Sequence, residues 1–188
     1  MFIRSERLFL RPGWPEDWRE LLTRIDDPGI VRNLAKVPWP YLPAHALAFA
    51  ATPQQRRFPH FLVTLPGGDG ARLIGGIGLA RDDDGRAELG YWIARPWWGR
   101  GYASEAARAL LRQARTLGHD RVVAAHFVDN PASGRVLAKI GFRPTGVLRP
   151  RFSVARGEAA AAAEFAIELG AACDCDADES AAPAMWAA

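Results

Sequence analysis

Arg95-Pro96-Trp97-Trp98-Gly99-Arg100-Gly101-Tyr102-Ala103-Ser104-Glu105-Ala106 is the stretch on which the reading of this chain turns. Just before it, Arg86–Ala94 sets Ala87, Leu89, Tyr91 and Ile93 at alternate positions, which predicts a strand with those side chains on one face. Just after it, Ala103, Ala106, Ala107, Leu110, Ala114 and Leu117 share one helical face, with Gly118 as a natural stop. Between strand and helix lies a Gly-x-Gly turn. Glycine permits positive φ and close approach of the backbone. The first turn of a helix offers N–H groups with no intrahelical acceptor, at the positive end of the helix dipole. Together these predict an anion site suited to a phosphate or pyrophosphate. The alternative is a turn that merely joins two elements. No Gly-Lys-Ser/Thr follows, which excludes a mononucleotide P-loop. The third glycine of a dinucleotide fingerprint is missing, and the turn follows a hairpin strand in mid-chain.

About thirty residues on, past the nearly all-apolar strand Arg121–Val128, a second helix opens at Asn130-Pro131, an N-cap followed by proline at the first helical position. It carries Val136, Leu137 and Ile140 and stops at Gly141. Towards the N-terminus, Glu6–Arg11 reads as a first strand. Trp14, Trp18, Leu21, Leu22 and Ile25 fall at helical spacing up to Asp27-Pro28, and a short helix follows a proline-rich loop near Pro43–Ala51. Phe58–Leu65 and Arg72–Ala80 are strands, the second with Gly75, Gly76 and Gly78 marking a bulge or a close backbone contact, and Asp82-Asp83-Asp84-Gly85 is a hairpin turn. Two further strands are expected near Gly146–Ala155 and Ala161–Leu169. The second is rich in alanine, yet Phe165, Ile167 and Leu169 alternate. The order β-α-α-βββ-α-β-α-ββ is that of one mixed α/β unit.

Composition agrees with a single globular domain: 188 residues, 49% apolar and 24% charged, with no apolar run approaching 18 residues. Disordered, fibrous and membrane-spanning classes are thereby excluded. Residues 1–7 hold no apolar core of a secretory signal, so none is expected. The net charge of +3 rests on 22 Arg and two Lys. Asp174, Asp176, Asp178 and Glu179 stand in a base-free C-terminus, so residues 1–172 alone carry +7. That mild arginine excess suits an anionic ligand but is too scattered for nucleic acid. Cys173 and Cys175 make no disulfide framework and at most half a metal site, which favours a reducing, cytoplasmic compartment. His45, His60 and His119 lack metal spacing, so no metal is expected, and His126 reads as a satisfied core histidine. A domain over residues 1–170 followed by a disordered acidic tail over 171–188 is the expected organisation.

Trp98-Gly99-Arg100-Gly101-Tyr102-Ala103 resembles the pyrophosphate loop of the GNAT N-acetyltransferases, and Asn130-x-x-Ser133-x-Arg135-x-Leu137-x-Lys139-x-Gly141-Phe142 resembles their second cofactor motif. Glu6-Arg7-Leu8-x-Leu10-Arg11 and Gly90-Tyr91-Trp92-Ile93 are similar to the Rim-type branch, which acetylates ribosomal-protein N-termini. The resemblance implies a mixed, mainly antiparallel seven-stranded sheet, splayed between its fourth and fifth strands and flanked by about four helices. It implies acetyl-CoA as co-substrate, with the pantetheine arm against the backbone of Trp92, Ile93 and Ala94. The pyrophosphate would lie on the loop of Trp98, Gly99, Arg100, Gly101, Tyr102, Ala103 and Ser104. Asn130 would bond the pantetheine or phosphate region, or simply cap its helix. Arg135 would reach an outer phosphate, or lie on a solvated face.

The implied reaction is direct attack of a neutral amine on the thioester, with a backbone N–H near Ile93 holding the developing oxyanion. By resemblance Ser133 is the acid for the leaving thiolate; its alternative role is a second cap. Other relatives use a tyrosine beyond the second motif, and none occurs after Tyr102. Glu88 is the candidate base, or else a hairpin charge paired with an arginine such as Arg72. The late glutamate of Rim-like relatives has no counterpart in Arg149-Pro150-Arg151-Phe152, the nearest being Glu158. With no strong base, a protein or peptide α-amine is the expected acceptor, since far more of it is neutral near pH 7 than of a lysine side chain. The alternatives are a small-molecule amine or a CoA-binding module with little catalysis. No nucleic acid or membrane partner is expected, and the chain would be a monomer or homodimer. Residues 25–45 and the last hairpin should shape the acceptor pocket.

Overall fold

A computed structural model describes residues 1–68 and 70–170. The tail expected over residues 171–188, with Cys173 and Cys175, lies outside the described residues. The elements are β1 (Ile3–Arg4), β2 (Phe9–Arg11), α1 (Trp18–Ile25), α2 (Pro28–Val31), α3 (Pro43–Ala50), β3 (His60–Leu65), β4 (Arg72–Arg81), β5 (Ala87–Ile93), α4 (Tyr102–Thr116), β6 (Arg121–Phe127), α5 (Pro131–Lys139), β7 (Arg143–Ser153) and β8 (Glu158–Glu168). The strands form one sheet in the order β1-β2-β3-β4-β5-β6-β8-β7, antiparallel throughout except between β5 and β6.

Eight strands replace the expected seven because Ile3–Arg4 forms a short extra strand folded back antiparallel on β2, while the expected Glu6–Arg11 strand narrows to Phe9–Arg11. The Ser5 hydroxyl and the Arg7 backbone N–H both donate to Glu105 at 2.7 Å, which ties the turn between the two strands to α4. The helix expected to end at Asp27-Pro28 is followed by one more turn, α2. Asp27 accepts the Gly29 N–H at 2.7 Å and Pro28 takes the first helical position. The described residues therefore hold five α-helices rather than four.

Helices α4 and α5 cover one face of the sheet, where Ala106, Ala107, Leu110 and Leu137 pack on Ile74, Leu89 and Val122. Helices α1 to α3 cover the other, with Leu21, Ile25, Ile30 and Tyr41 against Leu62 and Leu73. The parallel pairing of β5 with β6 is confined to Ala87↔Val122 and Glu88↔Val123. Beyond that vertex the strands part, each still bonded on its outer side, β5 to β4 and β6 to β8 over its whole length. This is the expected splay.

The open end of the fork is bridged. Arg95, just past β5, pairs with Asp27 at 2.6 Å, and Arg32, beyond α2, pairs with Asp129, just past β6, at 2.7 Å. From the tip of the β7–β8 hairpin, Arg156 binds Asp129 at 2.8 Å and the Arg32 carbonyl at 2.7 Å, while Val154 N–H donates to the Ala35 carbonyl at 3.0 Å. No helix among the described residues is long and apolar enough to cross a membrane.

Candidate active site

The fork opens into a cleft of about 700 Å³ lined from both faces of the sheet. At its mouth the chain leaves β5 and turns through Gly99 (φ 73°) and Gly101 (φ 80°), both left-handed, and Gly101 caps α4. A Cβ on Gly99 would meet nothing within 4 Å, so backbone conformation and not packing demands glycine there. The first intrahelical bond runs from Glu105 N–H to the Gly101 carbonyl at 3.0 Å. The N–H groups of Tyr102, Ala103 and Ser104 come before it and form an anion-ready helix start.

Behind the loop, a hollow of about 580 Å³ gathers Arg7, Arg100, Arg108, Arg112 and Lys139. Arg7 organises it by binding Glu105 and the Arg100 carbonyl and lying 4.6 Å over the Tyr102 ring. Burial alone would raise the Glu105 carboxyl, but bonds from the Arg7 backbone, the Ser5 hydroxyl and the Arg7 guanidinium outweigh it and hold Glu105 below the usual carboxylate range. The sequence reading gave Arg7 no role. Its signal was the Glu6-Arg7 motif at the chain start. The Tyr102 side chain is buried, with its ring under the Arg7 guanidinium, and its backbone N–H stands in the first turn of α4.

The backbone set expected for the pantetheine also narrows. Ala94 N–H donates to the Ile74 carbonyl at 2.8 Å, and the Ala94 carbonyl accepts from Trp97 N–H at 3.0 Å, so both groups are engaged within the protein. Antiparallel alternation then turns the Trp92 peptide groups towards β4 and those of Tyr91 and Ile93 towards the fork. The Trp98 indole N–H caps the Ile93 carbonyl, leaving the Tyr91 and Ile93 N–H groups aimed into the cleft.

Asn130 caps α5, its side chain accepting the Ser133 N–H at 3.4 Å. Arg135 is exposed and lines the cleft. The Ser133 hydroxyl lies 2.8 Å from the Tyr91 hydroxyl, which also donates towards the Ser133 carbonyl at 3.3 Å. This contact joins β5 to α5 across the fork. Burial pushes the Tyr91 phenol above its usual range, and the bond to Ser133 only partly offsets that. The sequence places Tyr91 in the alternating series of its strand and in the Gly90-Tyr91-Trp92-Ile93 motif, with no chemical role. Its signal was being the one polar-tipped side chain in the series Ala87, Leu89, Tyr91, Ile93.

On the opposite face, register places Glu88, Gly90 and Trp92 beside Ala80, Gly78 and Gly76, as alternation required. Glu88 stands at the vertex of the fork and is bound by both terminal nitrogens of Arg151, Nη2 to Oε2 at 2.9 Å. The paired reading of Glu88 is therefore the observed one, with Arg151 of β7 as partner and not Arg72. A Cβ on Gly90 would meet nothing within 4 Å, so the cleft is open above that residue. Tyr41, Phe49, His60 and Trp92 wall this side. His126 bonds the Phe127 carbonyl through Nδ1 at 2.8 Å and lies tilted against Phe165, half-buried at the cleft wall and not in the core as expected. Among the described residues no three His, Cys, Asp or Glu side chains gather as a metal site.

The model of the acetyltransferase (GNAT) domain matches residues 7–143. The uncharacterized N-acetyltransferase YoaA of Bacillus subtilis (strain 168) is 42% identical over 84 residues, covering 43% of this chain and 48% of that protein. The chain spans less than half the length of the curated relatives it matches. A GNAT-family acetyltransferase of Bacillus anthracis superposes with a TM-score of 0.76 at 25% identity, over 90% of this chain and 99% of that one. RimL, a ribosomal α-N-protein acetyltransferase in complex with coenzyme A, superposes with a TM-score of 0.70 at 19% identity, over 89% and 97%, a likeness of fold alone. With the splayed sheet, the glycine turn and the second helix start all in place, the chain belongs to the GNAT acetyltransferase family.

Proposed function

We propose that this protein transfers the acetyl group of acetyl-CoA to a primary amine, and that the amine is the α-amine of a peptide or protein. The observation that carries the reading is the left-handed Gly99–Gly101 turn, which opens α4 at the end of the strand whose free edge faces the fork. Acetyl-CoA brings the reactive thioester; the chain supplies the rest. The N–H groups of the loop and of the first turn of α4 bind pyrophosphate, with Arg7 and Arg100 beside them. The Ile93 N–H holds the developing oxyanion, and the Tyr91 N–H, one strand repeat away, is free for the pantetheine arm. The Ser133 hydroxyl, backed by Tyr91, donates a proton to the leaving thiolate. Glu88 accepts the proton of the attacking amine.

The preference for an α-amine rests on proton chemistry. With pKa near 7.7–8.0, roughly a quarter of it is neutral at pH 7.4, against about one lysine side chain in a thousand. Both Glu88 oxygens are already engaged by Arg151, which matches the site to the amine that needs a proton acceptor least. The fold likeness to RimL, an α-N-protein acetyltransferase, supports the same choice. The test is competition for acetyl-CoA between a peptide with a free N-terminus and its N-blocked, lysine-bearing twin, scored by mass at neutral pH. Acetylation of the free N-terminus is expected; faster acetylation of the blocked peptide overturns the assignment.

A further inference from the structure

The Glu88–Arg151 pair occupies the vertex of the fork, on the sheet face away from α4 and α5. It is a semi-enclosed pair, with side-chain exposures of 15% for Glu88 and 33% for Arg151. The space above Gly90, the next residue along the same face, is open. Glu88 and Gly90 are two residues apart on one strand, about 7 Å, within the reach of a glutamate side chain and one hydrogen bond. Four cations line the cleft, Lys36, Arg135, Lys139 and Arg151, against one carboxylate, Glu88. Arg135 and Lys139 belong to α5, beside the cofactor motif. Of the lining residues the acceptor side keeps Lys36, Arg151 and Glu88, while Asp82 and Asp83 of the neighbouring hairpin turn also act on Arg151 from outside the cleft.

We propose that the Glu88–Arg151 pair selects the acceptor by charge, and that the acceptor is an amine bearing a carboxylate a few bonds away: a peptide N-terminus with an acidic residue in its first two positions. This rests on the transferase reading above. An acceptor that is only cationic reaches Glu88 by displacing Arg151, which strands a half-buried guanidinium without its partner. An acceptor without charge leaves the pair closed and Glu88 engaged. An acceptor with both charges satisfies both. Arg151 spends its two Nη groups on Glu88, and a guanidinium has a second donor edge, Nε with one Nη, that fits a carboxylate side-on. A carboxylate docked there shares Arg151 with Glu88 and loosens its hold. The ammonium above Gly90 then meets Glu88, passes one proton from nitrogen to a carboxylate oxygen, and is left neutral for attack. Arg151 is the specificity residue, and Glu88 answers to it.

The experiment is a panel of acceptors with acetyl-CoA: peptides beginning Asp or Ser-Glu, the same peptides with Asn or Ser-Gln, a Ser-Lys peptide, and free aspartate and glutamate as the small-molecule arm. The acidic peptides are expected to exceed their amide twins in kcat/KM by about tenfold or more, a ratio of the size one charged contact gives. Arg151→Gln is expected to bring that ratio to about one, and Arg151→Lys to restore part of it. Glu88→Gln gives the sharper signature: with Arg151 unshared, KM for the acidic peptide falls while kcat falls too. Loss of a merely structural pair would raise KM or leave it unchanged. Equal rates for acid and amide twins overturn the proposal and leave the transferase reading standing. Transfer to none of the panel by a protein that binds CoA overturns both. Efficient use of the free amino acids without the peptides overturns the peptide acceptor and keeps the charge selection.

Discussion

Tyr91→Phe tests the proton donor directly. The substitution removes one oxygen, 2.8 Å from the Ser133 hydroxyl, from a residue whose ring packs against the core. Loss of one neutral hydrogen bond predicts a stability decrease of about 0.5–1.5 kcal/mol. The catalytic cost is larger. A thiol has a pKa near 8.5 and a phenol near 10, so handing the proton to the leaving thiolate is uphill by at least ~1.5 units, or about 2 kcal/mol, even from tyrosine. A lone serine hydroxyl is a weaker acid still. General acids contribute about 10²–10⁴-fold, so kcat should fall by about 10² while the acetyl-CoA Kd stays within about twofold. Ser133→Ala should do the same, and the double variant should be little worse than the more damaged single, because the two hydroxyls act as one unit. CoA release traced with a thiol reagent gives kcat, and calorimetry gives Kd. Because burial raises the Tyr91 phenol, wild-type turnover should show no loss of this acid below pH ~10. A Tyr91→Phe protein with near-normal kcat and a lowered Tm would refute the relay and leave Tyr91 as a brace across the fork.

Gly101→Val forces a β-branched residue to φ 80°, at about 1–2 kcal/mol of strain, and sends its Cβ towards the Arg7 guanidinium 3.6 Å away. CoA Kd should rise by about 30-fold or more, equivalent to about 2 kcal/mol, and unchanged calorimetry of a folded variant would misplace the cofactor loop. Gly90→Val fills open space, so stability should stay within about 0.5 kcal/mol and CoA binding should hold, while acceptor KM rises by about tenfold. Unaltered acceptor kinetics would mean that the amine does not pass above this residue. Burial pushes the Tyr41 phenol up to about 12. The folded state therefore keeps its proton longer than the unfolded chain, and the stability so gained is complete below pH ~10 and lost as pH climbs towards 12, roughly 2–3 kcal/mol in all. Denaturant melts at pH 9 and 11 should show a shallower loss for Tyr41→Phe; equal losses would place the hydroxyl in water.

What the sequence revealed and what it hid divide along chain separation. The alternation in β5, the helical spacing of α4 and the cap at Asn130 are written within a few residues, and each stands where periodicity put it. Strand β8 is the instructive case. Its alanines favour helix, yet bonds from β6 on one side and β7 on the other hold it extended, as the short alternation Phe165, Ile167, Leu169 implied. The β1–β2 hairpin was invisible because the residue that anchors its turn, Glu105, lies some hundred residues away. The site divides the same way. The glycine turn and the α5 cap are local motifs. The pairing of Tyr91 with Ser133, of Glu88 with Arg151 and of Arg7 with Glu105 each joins elements that meet only once the sheet has closed. The role of Ala94 fell to ladder phase, which fixes which peptide groups face outward and which residue type does not report.

The bridge across the fork has a mechanical consequence. Two strands joined at a vertex and free at their tips are a pair of tweezers, and their gap would breathe with every bending motion of the sheet. Arg95–Asp27 and Arg32–Asp129, with α2 between them, join the tips and turn the tweezers into a triangulated frame, and Arg156 braces its far corner. The gap between β5 and β6 is then set when the chain folds, so the cost of ordering it falls on folding and not on binding. The joints are durable in acid: the Arg95 bond holds Asp27, and the Arg156 bond holds Asp129, below the usual carboxylate range. Both stay ionised, and the frame stays square, at pH values where an ordinary aspartate has begun to take up its proton.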